Sequence, residues 1–243
     1  MIGKRQGFGN ILAEGSARAA ECLGRGIKFL ITSKGQEAPA HMPQVKQSLA
    51  LMYAVNPIGA DHVSSDHDPA YEDGFESFKE RLIPMGLSQP QKPQSLGPEK
   101  VKFARKTQHL YSLMDSATFC VLACGSSFHL YGPKEIVKMV QAVTGWDVTL
   151  EELLTVGERR VNMMRAFNAR EGINREQDTL PAKFFEEPLK GGPSETWKVD
   201  KAEFEAALDE YYRQCGWDLQ SGTPTRETLE KLSLAWVADY LNI

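Results

Sequence analysis

The chain has 243 residues, with 28 Lys and Arg against 32 Asp and Glu, which gives a formal net charge of −4. Hydrophobic residues make up 42% and charged residues 25% of the chain, a balance typical of a globular protein that buries a sizeable core. The composition excludes collagen-like and wholly disordered classes. No basic excess and no basic stripe with interleaved aromatic residues favours nucleic-acid binding.

Neither a targeting signal nor a membrane span is predicted. The basic residues Lys4 and Arg5 are followed by Gln-Gly-Phe-Gly-Asn instead of a continuous apolar run. The most apolar segment, residues 119–124, is far shorter than the roughly 20 residues of a membrane-spanning helix. We therefore expect a cytoplasmic protein with no membrane or nucleic-acid partner. Its four scattered cysteines predict reduced thiols or metal ligands instead of disulfides: Cys22, Cys120, Cys124 and Cys215.

Helical periodicity dominates the first third of the chain. An apolar stripe predicts a first helix over residues 10–23, and Gly24-Arg25-Gly26 provides the stop. A second helix is predicted over residues 44–55, ended by the turn sequence Asn56-Pro57-Ile58-Gly59. Residues 60–69 then form a polar loop.

Four prolines between Pro84 and Pro98 predict a long, extended surface connection. From Glu99, helical periodicity continues toward Cys120 and Cys124, which predicts a long and largely buried helix. Another helix should begin at Pro133, where proline suits the first helical position.

Capping residues predict the remaining helices. Thr149 and Glu152 form a capping box, and we expect a helix of about twenty residues to follow and to end at Gly172. Asp200 and Thr225 indicate later helix starts. With about eight helices, no confident strand and no internal repeat, the predicted fold class is all-α.

Two histidines and three aspartates lie within residues 61–68, including His62, Asp66 and His67. Imidazoles suit general acid–base chemistry, whereas a closed metal site needs three or four converging ligands. The spacing matches no known ligand loop, so a solvated polar loop is the main alternative.

Cys120 and Cys124 are four residues apart, which on a helix would place both thiols on one face. They are either buried small hydrophobes or one or two ligands of an iron–sulfur cluster held mainly elsewhere, because no Cys-x2-Cys run is present. On the helix after Thr149, the arginines predict a solvated face that pairs with glutamates. Asn162 and Asn168 should tie that helix to neighbouring loops.

Longer patterns resemble the tungsten-containing aldehyde:ferredoxin oxidoreductase family. They begin with G-F-G-N-I-L-A-E-G at residues 7–15 and N-P-I-G-A-D-H at residues 56–62, and continue with G-E-R-R-V-N at 157–162 and F-N-A-R-E-G at 167–172. Further matching patterns are D-T-L-P at 178–181, E-P-L at 187–189, L-D-E-Y-Y at 208–212, G-W-D at 216–218 and G-T-P-T at 222–225.

Family members are about two and a half times as long, so the resemblance implies a C-terminal portion, either truncated or encoded as a separate subunit. It implies that residues 1–35 end the family's second helical domain and that residues 36–243 form its third. The N-terminal domain that holds the bis-pterin tungsten cofactor, and the Cys-x2-Cys-x3-Cys run that provides three cluster ligands, are absent from the sequence.

The resemblance also implies roles for three residues. Residues 115–120, D-S-A-T-F-C, occupy the place of the family's D-x-x-G-L-C motif. By this correspondence Asp115 accepts hydrogen bonds from pterin nitrogens and Cys120 is the fourth ligand of a [4Fe–4S] cluster. His62 corresponds to the histidine beside the tungsten that moves a proton. Thr118 and Phe119 depart from the family's Gly-Leu, and no role is implied for Asp66, His67 or Cys124.

The resemblance therefore implies the helical part of a tungsten or molybdenum pterin oxidoreductase. Such an enzyme oxidises an aldehyde to a carboxylate and passes electrons through the cluster to ferredoxin, and this chain alone should be inactive. Its expected partners are the N-terminal cofactor-binding part, ferredoxin and a small aldehyde or related substrate. The alternative is a non-catalytic helical binding or assembly module that kept the fold.

Overall fold

The structure is a computed structural model that describes residues 1–74, 80–126 and 130–243. Helices account for most of the regular structure. In chain order they are α1 (Gly9–Leu12), α2 (Ser16–Leu23), α3 (Gln47–Val55), α4 (Pro98–Ser116), α5 (Pro133–Thr144), α6 (Leu150–Arg170), α7 (Lys183–Glu186), α8 (Lys201–Cys215), α9 (Arg226–Lys231) and α10 (Ala235–Leu241).

Extended structure is confined to one small hairpin within the described residues. Strand β1 (Thr32–Ser33) pairs antiparallel with β2 (Gln36–Glu37), and Thr32 lies opposite Glu37. Short 3-10 turns connect the longer elements: Ile2–Lys4, Ile27–Phe29, Asp68–Tyr71, Ile83–Met85 and Arg175–Gln177. The predicted all-α class is confirmed.

Helix α6 links the hydrophobic clusters of the molecule. Its first turns contribute Leu153 and Leu154 to a cluster with α4 and α5. Val161, at its middle, joins the cluster built on α3 and α8. Ala166, near its end, packs with α9 and α10. Helix α6 therefore contributes to all three hydrophobic clusters of the described residues and connects them.

Close approach of α4 and α6 depends on Gly157. A Cβ atom at this position would lie 1.8 Å from the carbonyl oxygen of His109 on α4. Only glycine permits that separation, and the two helices then pack along much of their length. The glycine of the G-E-R pattern thus sets the spacing between α4 and α6.

The capping predictions for the C-terminal half are confirmed. The Thr149 side chain accepts from the Glu152 amide, and the Glu152 carboxylate accepts from the Thr149 amide. The Asp200 side chain accepts from the Glu203 amide to cap α8, and the Thr225 side chain accepts from the Thr228 amide to cap α9. These are local interactions, which explains why the sequence alone located them.

The prediction of one first helix over residues 10–23 is wrong. The structure has two helices, α1 and α2, separated at Gly15, whose φ of 87° lies outside the helical region. Its backbone therefore interrupts the stripe that the apolar pattern suggested.

The predicted extension of α4 toward Cys120 and Cys124 is also wrong. Helix α4 ends at Ser116, and Thr118 has a left-handed φ of 59°. The Phe119 amide donates to the Met114 carbonyl at 2.9 Å, the hydrogen bond that closes a Schellman motif. Both cysteines therefore lie in the turn after the helix.

The proline-rich segment of residues 84–98 is only partly a surface connection. Leu87 and Leu96 are buried, and the Pro93 carbonyl accepts from the Gln47 amide at the start of α3. These contacts anchor the segment against the core and leave its prolines in the exposed and half-buried stretches between.

The arginines of α6 do not form one solvated face. Arg165 is completely buried and pairs with Asp178, while Arg170 forms the expected surface pair with Glu171. The prediction for the asparagines is confirmed: Asn168 donates to the Pro57 carbonyl at 2.8 Å, and Asn162 accepts from the Trp217 indole at 2.8 Å. Within the described parts of the chain, no helix is long and apolar enough to cross a membrane.

Candidate functional site

The loop of residues 61–68 is held in place by buried carboxylates, so the alternative of a solvated polar loop is wrong. Asp66 is buried and accepts from the Ser126 hydroxyl. Asp68 accepts from the Ser48 amide at 3.0 Å on α3 and from Lys100 Nζ at 2.5 Å on α4. The loop is thus clamped to two helices.

His62 lies half-buried at the start of this loop. The preceding Asp61 accepts from the Val63 amide at 3.0 Å and from the Ser64 hydroxyl, which shapes the turn that carries the histidine. Within residues 1–74, 80–126 and 130–243, the His62 ring makes no hydrogen bond to protein. Its nitrogens are therefore available to a substrate or water.

Two further histidines and a lysine surround His62. The centroid of the His41 ring is 4.8 Å from those of His62 and His67. Lys46 Nζ is 3.2 Å from Nδ1 of His41 and 2.9 Å from Nδ1 of His67. The His67 ring also reaches the His62 carbonyl oxygen, at 2.7 Å from Nε2. We call His41, His62, His67 and Lys46 the histidine cluster.

Burial and mutual charge lower the pKa values in the histidine cluster. Burial, and then Lys46, lower the pKa of His41. The pKa of His67 is lowered mainly by burial and further by Lys46, against the opposing effect of its hydrogen bond to His62. Burial also lowers the pKa of Lys46, while Asp68 and Asp66 raise it. The imidazoles of His41 and His67 therefore favour the neutral form.

A cavity of about 430 Å³ opens beside the histidine cluster. His62, His67 and Lys46 line one side, and Val121 and Leu122 from the turn after α4 line another. The cavity is large enough for a small organic substrate and combines titratable groups with apolar walls, as binding sites commonly do.

Asp115 lies on the last turn of α4, and its side chain is 61% exposed. Arg160 Nη1 on α6 is 3.0 Å from its carboxylate. Both residues line a small crevice with Ser64 of the His62 loop. The carboxylate is therefore held in one orientation with part of its surface open.

Cys120 and Cys124 differ sharply in exposure. Cys120 is exposed, whereas Cys124 is buried and the pKa of its thiol is raised by burial and by the neighbouring Cys120. The described residues contain no group of three or more histidine, cysteine or acidic side chains arranged to hold a metal ion by themselves. Cys120 can therefore offer one exposed thiol group, and the buried Cys124 is a poor ligand.

The family model for aldehyde ferredoxin oxidoreductase, domains 2 and 3, matches residues 1–234. The chain belongs to this family. The tungsten-containing aldehyde ferredoxin oxidoreductases of Pyrococcus horikoshii and Pyrococcus furiosus are each 35% identical over 237 residues, which cover 96% of this chain and 35% of each relative. The chain thus spans about a third of the length of these curated relatives.

Two more distant similarities are found, one in sequence and one in structure. The aliphatic sulfonate oxidoreductase WOR-like subunit of Pyrococcus furiosus is 26% identical over 247 residues, covering 96% of this chain and 33% of that protein. A solved structure, the active-site complex BamBC of benzoyl coenzyme A reductase with 1,5-dienoyl-CoA, gives a TM-score of 0.71 at 23% identity. The match covers 98% of this chain and 38% of that one, and it supports the fold.

By the resemblance given by residues 115–120, Thr118 stands where the D-x-x-G-L-C motif has glycine. Its φ of 59° is left-handed, a conformation that glycine adopts freely and that threonine adopts with strain. The turn after α4 therefore has a backbone conformation at residue 118 that would suit glycine.

Replacing Thr118 by glycine should stabilise the chain by about 1 kcal/mol. Relief of left-handed strain is worth about 1–3 kcal/mol, and the greater unfolded-state entropy of glycine costs about 0.5–1 kcal/mol. Ala117→Gly is the matched control, since Ala117 is exposed with a φ of −97° and gains no relief. Urea unfolding of both variants measures the difference. Equal destabilisation by both substitutions would contradict the strain at Thr118.

His41, Lys46 and Arg160 are residues of this site that sequence reasoning did not single out. His41 and Lys46 precede α3, and no local spacing connects them to the loop of residues 61–68. They meet His67 only because the loop folds back against α3 through Asp68. Arg160 is one of the arginines of the predicted solvated face, and its pairing with Asp115 depends on the crossing of α4 and α6.

Proposed function

We propose that this chain is the C-terminal helical part of a tungsten or molybdenum pterin oxidoreductase. The complete enzyme oxidises an aldehyde to a carboxylate and delivers electrons through one [4Fe–4S] cluster to ferredoxin. The observation that carries the proposal is the arrangement around the His62 loop: His62 shares a cavity with the turn that follows Cys120, and Ser64 shares a crevice with Asp115.

Asp115 fits the role of a pterin-binding residue. An ionised carboxylate accepts hydrogen bonds and suits the N–H donors of a pterin ring. Arg160 holds one side of the carboxylate at 3.0 Å, and 61% of the side chain remains exposed to a ligand. Asp115 would therefore present an acceptor that orients the pterin.

Cys120 fits the role of a single cluster ligand. Iron in such clusters is bound by cysteine thiolates, and the exposed Cys120 can reach a cluster at the protein surface. The other three thiolates would come from the N-terminal part of the enzyme. Cys124 is buried beneath the turn and is not proposed as a ligand.

His62 is proposed as the proton-transfer group. Conversion of an aldehyde and water to a carboxylic acid releases two electrons and two protons, and an imidazole nitrogen of His62 would accept one of these protons and pass it to solvent. When bound, the metal–pterin centre would supply the oxidation and oxygen-transfer chemistry, and the cluster would carry electrons toward ferredoxin. The chain's own contribution is to place the base at the cavity.

The N-terminal cofactor-binding part is proposed to cover this side of the molecule. Apolar side chains stand exposed near the cavity, including Leu122 at 84% and Val63 at 45%. A partner that packs over them would exclude water from the reacting centre. We also propose that residues 1–35 are the end of the family's second helical domain and that residues 36–243 form its third.

The test is to assemble the chain with its N-terminal part and to measure aldehyde-dependent reduction of ferredoxin. The assembled protein should contain tungsten or molybdenum, pterin and about four irons per molecule, and a panel of small aldehydes should reveal the substrate. If the assembly contains metal, pterin and cluster but none of the aldehydes supports ferredoxin reduction, the proposal is contradicted and a helical binding or assembly module is favoured.

Cys120→Ser should remove or convert the cluster in the assembled enzyme, whereas Cys124→Ser should leave it intact. The difference follows from exposure, because the Cys120 thiol is open to a metal whereas the Cys124 thiol is buried. Iron analysis and electron paramagnetic resonance measure the result. Unchanged iron content and cluster spectra in the Cys120 variant would show that the ligand lies elsewhere.

A further inference from the structure

Lys46 lies between two imidazoles that both face it through Nδ1. Its Nζ is 3.2 Å from His41 Nδ1 and 2.9 Å from His67 Nδ1. A lysine ammonium carries three N–H donors and no acceptor, so each Nδ1 must accept. A neutral imidazole that accepts at Nδ1 carries its proton on Nε2.

The contact made by Nε2, on the opposite side of the His67 ring, independently indicates the same tautomer. His67 Nε2 is 2.7 Å from the His62 carbonyl oxygen. A carbonyl oxygen only accepts, so Nε2 must donate. Two partners on opposite sides of the ring therefore require one and the same protonation state.

We infer that Lys46 is a positioning residue that fixes the Nε2–H tautomer of His67 and, through the His67 hydrogen bond, holds the backbone at His62. The resulting chain of contacts runs from Lys46 to His67 and then to the His62 carbonyl. His41 accepts a second hydrogen bond from Lys46 and places its ring 4.8 Å from that of His62. The tautomer of His67 does not depend on the proposed function. Only the consequence for proton transfer rests on it, through the role proposed for His62.

The charges around Lys46 are compatible with this role. Burial lowers the pKa of Lys46 on balance, while the carboxylates of Asp68 and Asp66 oppose that effect by stabilising the ammonium form that donates. Among the described residues, titratable groups near the histidine cluster include Asp66 and Asp68 from the loop, Tyr53 from α3 and Tyr111 from α4. The Tyr53 hydroxyl donates to the His41 carbonyl at 2.9 Å, which anchors that residue.

Long-range proton–nitrogen NMR of the full 243-residue chain tests the tautomers directly. At pH 7, His41 and His67 should each show a bare Nδ1 and a protonated Nε2. An Nδ1–H tautomer or an imidazolium at His67 would overturn the inference. This measurement needs no variant, so it decides the question even if a substitution at Lys46 prevents folding.

Lys46→Met removes the donor and keeps a stem of similar length. The pKa of His67 should rise by about 1 unit or more because a cation within hydrogen-bond distance is lost, and the Nδ1–H tautomer should become populated. The His62 backbone amide and ring signals should shift with it. Lys231→Met is the control, since this exposed lysine pairs with Glu227 on α9 and should move none of these signals.

A Lys46→Met chain whose His67 pKa, His67 tautomer and His62 signals match the wild type would overturn the positioning role. A merely structural lysine would alter the unfolding midpoint without changing the tautomer of His67. Because the readout requires no cofactor and no turnover, the result is separate from the outcome of the aldehyde assay. Failure of that assay would leave the Lys46 measurement interpretable on its own.

Discussion

Replacing His62 by asparagine in the assembled enzyme should lower turnover by about 10²–10⁴, the usual contribution of a positioned acid or base. Asparagine keeps a polar side chain of similar size near the backbone but cannot accept and release a proton near neutral pH. Tungsten or molybdenum, pterin and iron contents should remain normal, because none of the residues proposed to bind them is altered. Steady-state turnover and metal analysis on the same preparation measure the result.

The matched control is His67→Asn, which should cause a smaller loss. His67 hydrogen-bonds the His62 backbone at 2.7 Å and is not itself proposed to move a proton. If His62 instead served a structural role, its ring would pair with Asp61 or Asp66. Those carboxylates are engaged by Ser64 and Ser126, respectively. Near-normal turnover of the His62 variant with full cofactor loading would show that another group transfers the proton.

Asp178→Asn should destabilise the chain by about 3–5 kcal/mol, the usual effect of removing one partner from a buried ion pair. Asp178 is completely buried between two cations, with Lys34 Nζ at 2.6 Å and Arg165 Nη1 at 2.8 Å, and it also accepts from the Tyr212 hydroxyl. An amide would leave two buried positive charges without a compensating carboxylate. Denaturant unfolding at pH 7 measures the loss.

At alkaline pH, the loss of unfolding free energy caused by Asp178→Asn should be smaller. Burial already lowers the pKa of Lys34, while Asp178 raises it, so the substitution lowers the Lys34 pKa further in the folded state. Between that lowered pKa and the ordinary lysine value of about 10.4, the unfolded chain binds more protons than the folded chain. Stability of the variant therefore rises with pH across this window, and more steeply than that of the wild type.

Asp209→Asn provides the matched control for the buried site. Asp209 pairs with Arg175 at 2.7 Å, but its side chain is 38% exposed. Solvent screens such a pair, and its loss should cost at most about 1 kcal/mol with little pH dependence near pH 9. Equal losses at Asp178 and Asp209 would mean that the buried pair makes no special contribution to the fold.

Local interactions explain which elements of this fold the sequence predicts well. The start of α6 depends on the Thr149–Glu152 capping box, and its end falls just before Gly172. Hydrogen bonds between residues three or four apart are set by chain chemistry, so they are readable without a structure. The failed prediction of a single first helix has a local cause as well, because a glycine in a helical pattern does not reveal which conformation it adopts.

The roles proposed for His62, Asp115 and Cys120 came from resemblance to a family, and composition or spacing alone would not have separated Cys120 from Cys124. The difference between the two thiols arises after α4 ends, where the turn exposes one and buries the other. That turn requires a left-handed backbone conformation at Thr118. The apolar pattern of a long helix gives no indication of it.

By itself, the amino-acid sequence determined the all-α class, the caps of the long helices and the family, and the roles of His62, Asp115 and Cys120 stay predictions from that family. Only the tertiary structure decided that Arg165 is buried against Asp178, that Arg160 holds Asp115, and that Lys46 connects His41 with His67. The physical reason is the range of each interaction. Caps and turns act within a few residues, whereas buried ion pairs and the histidine cluster join segments that meet only once the helices have packed.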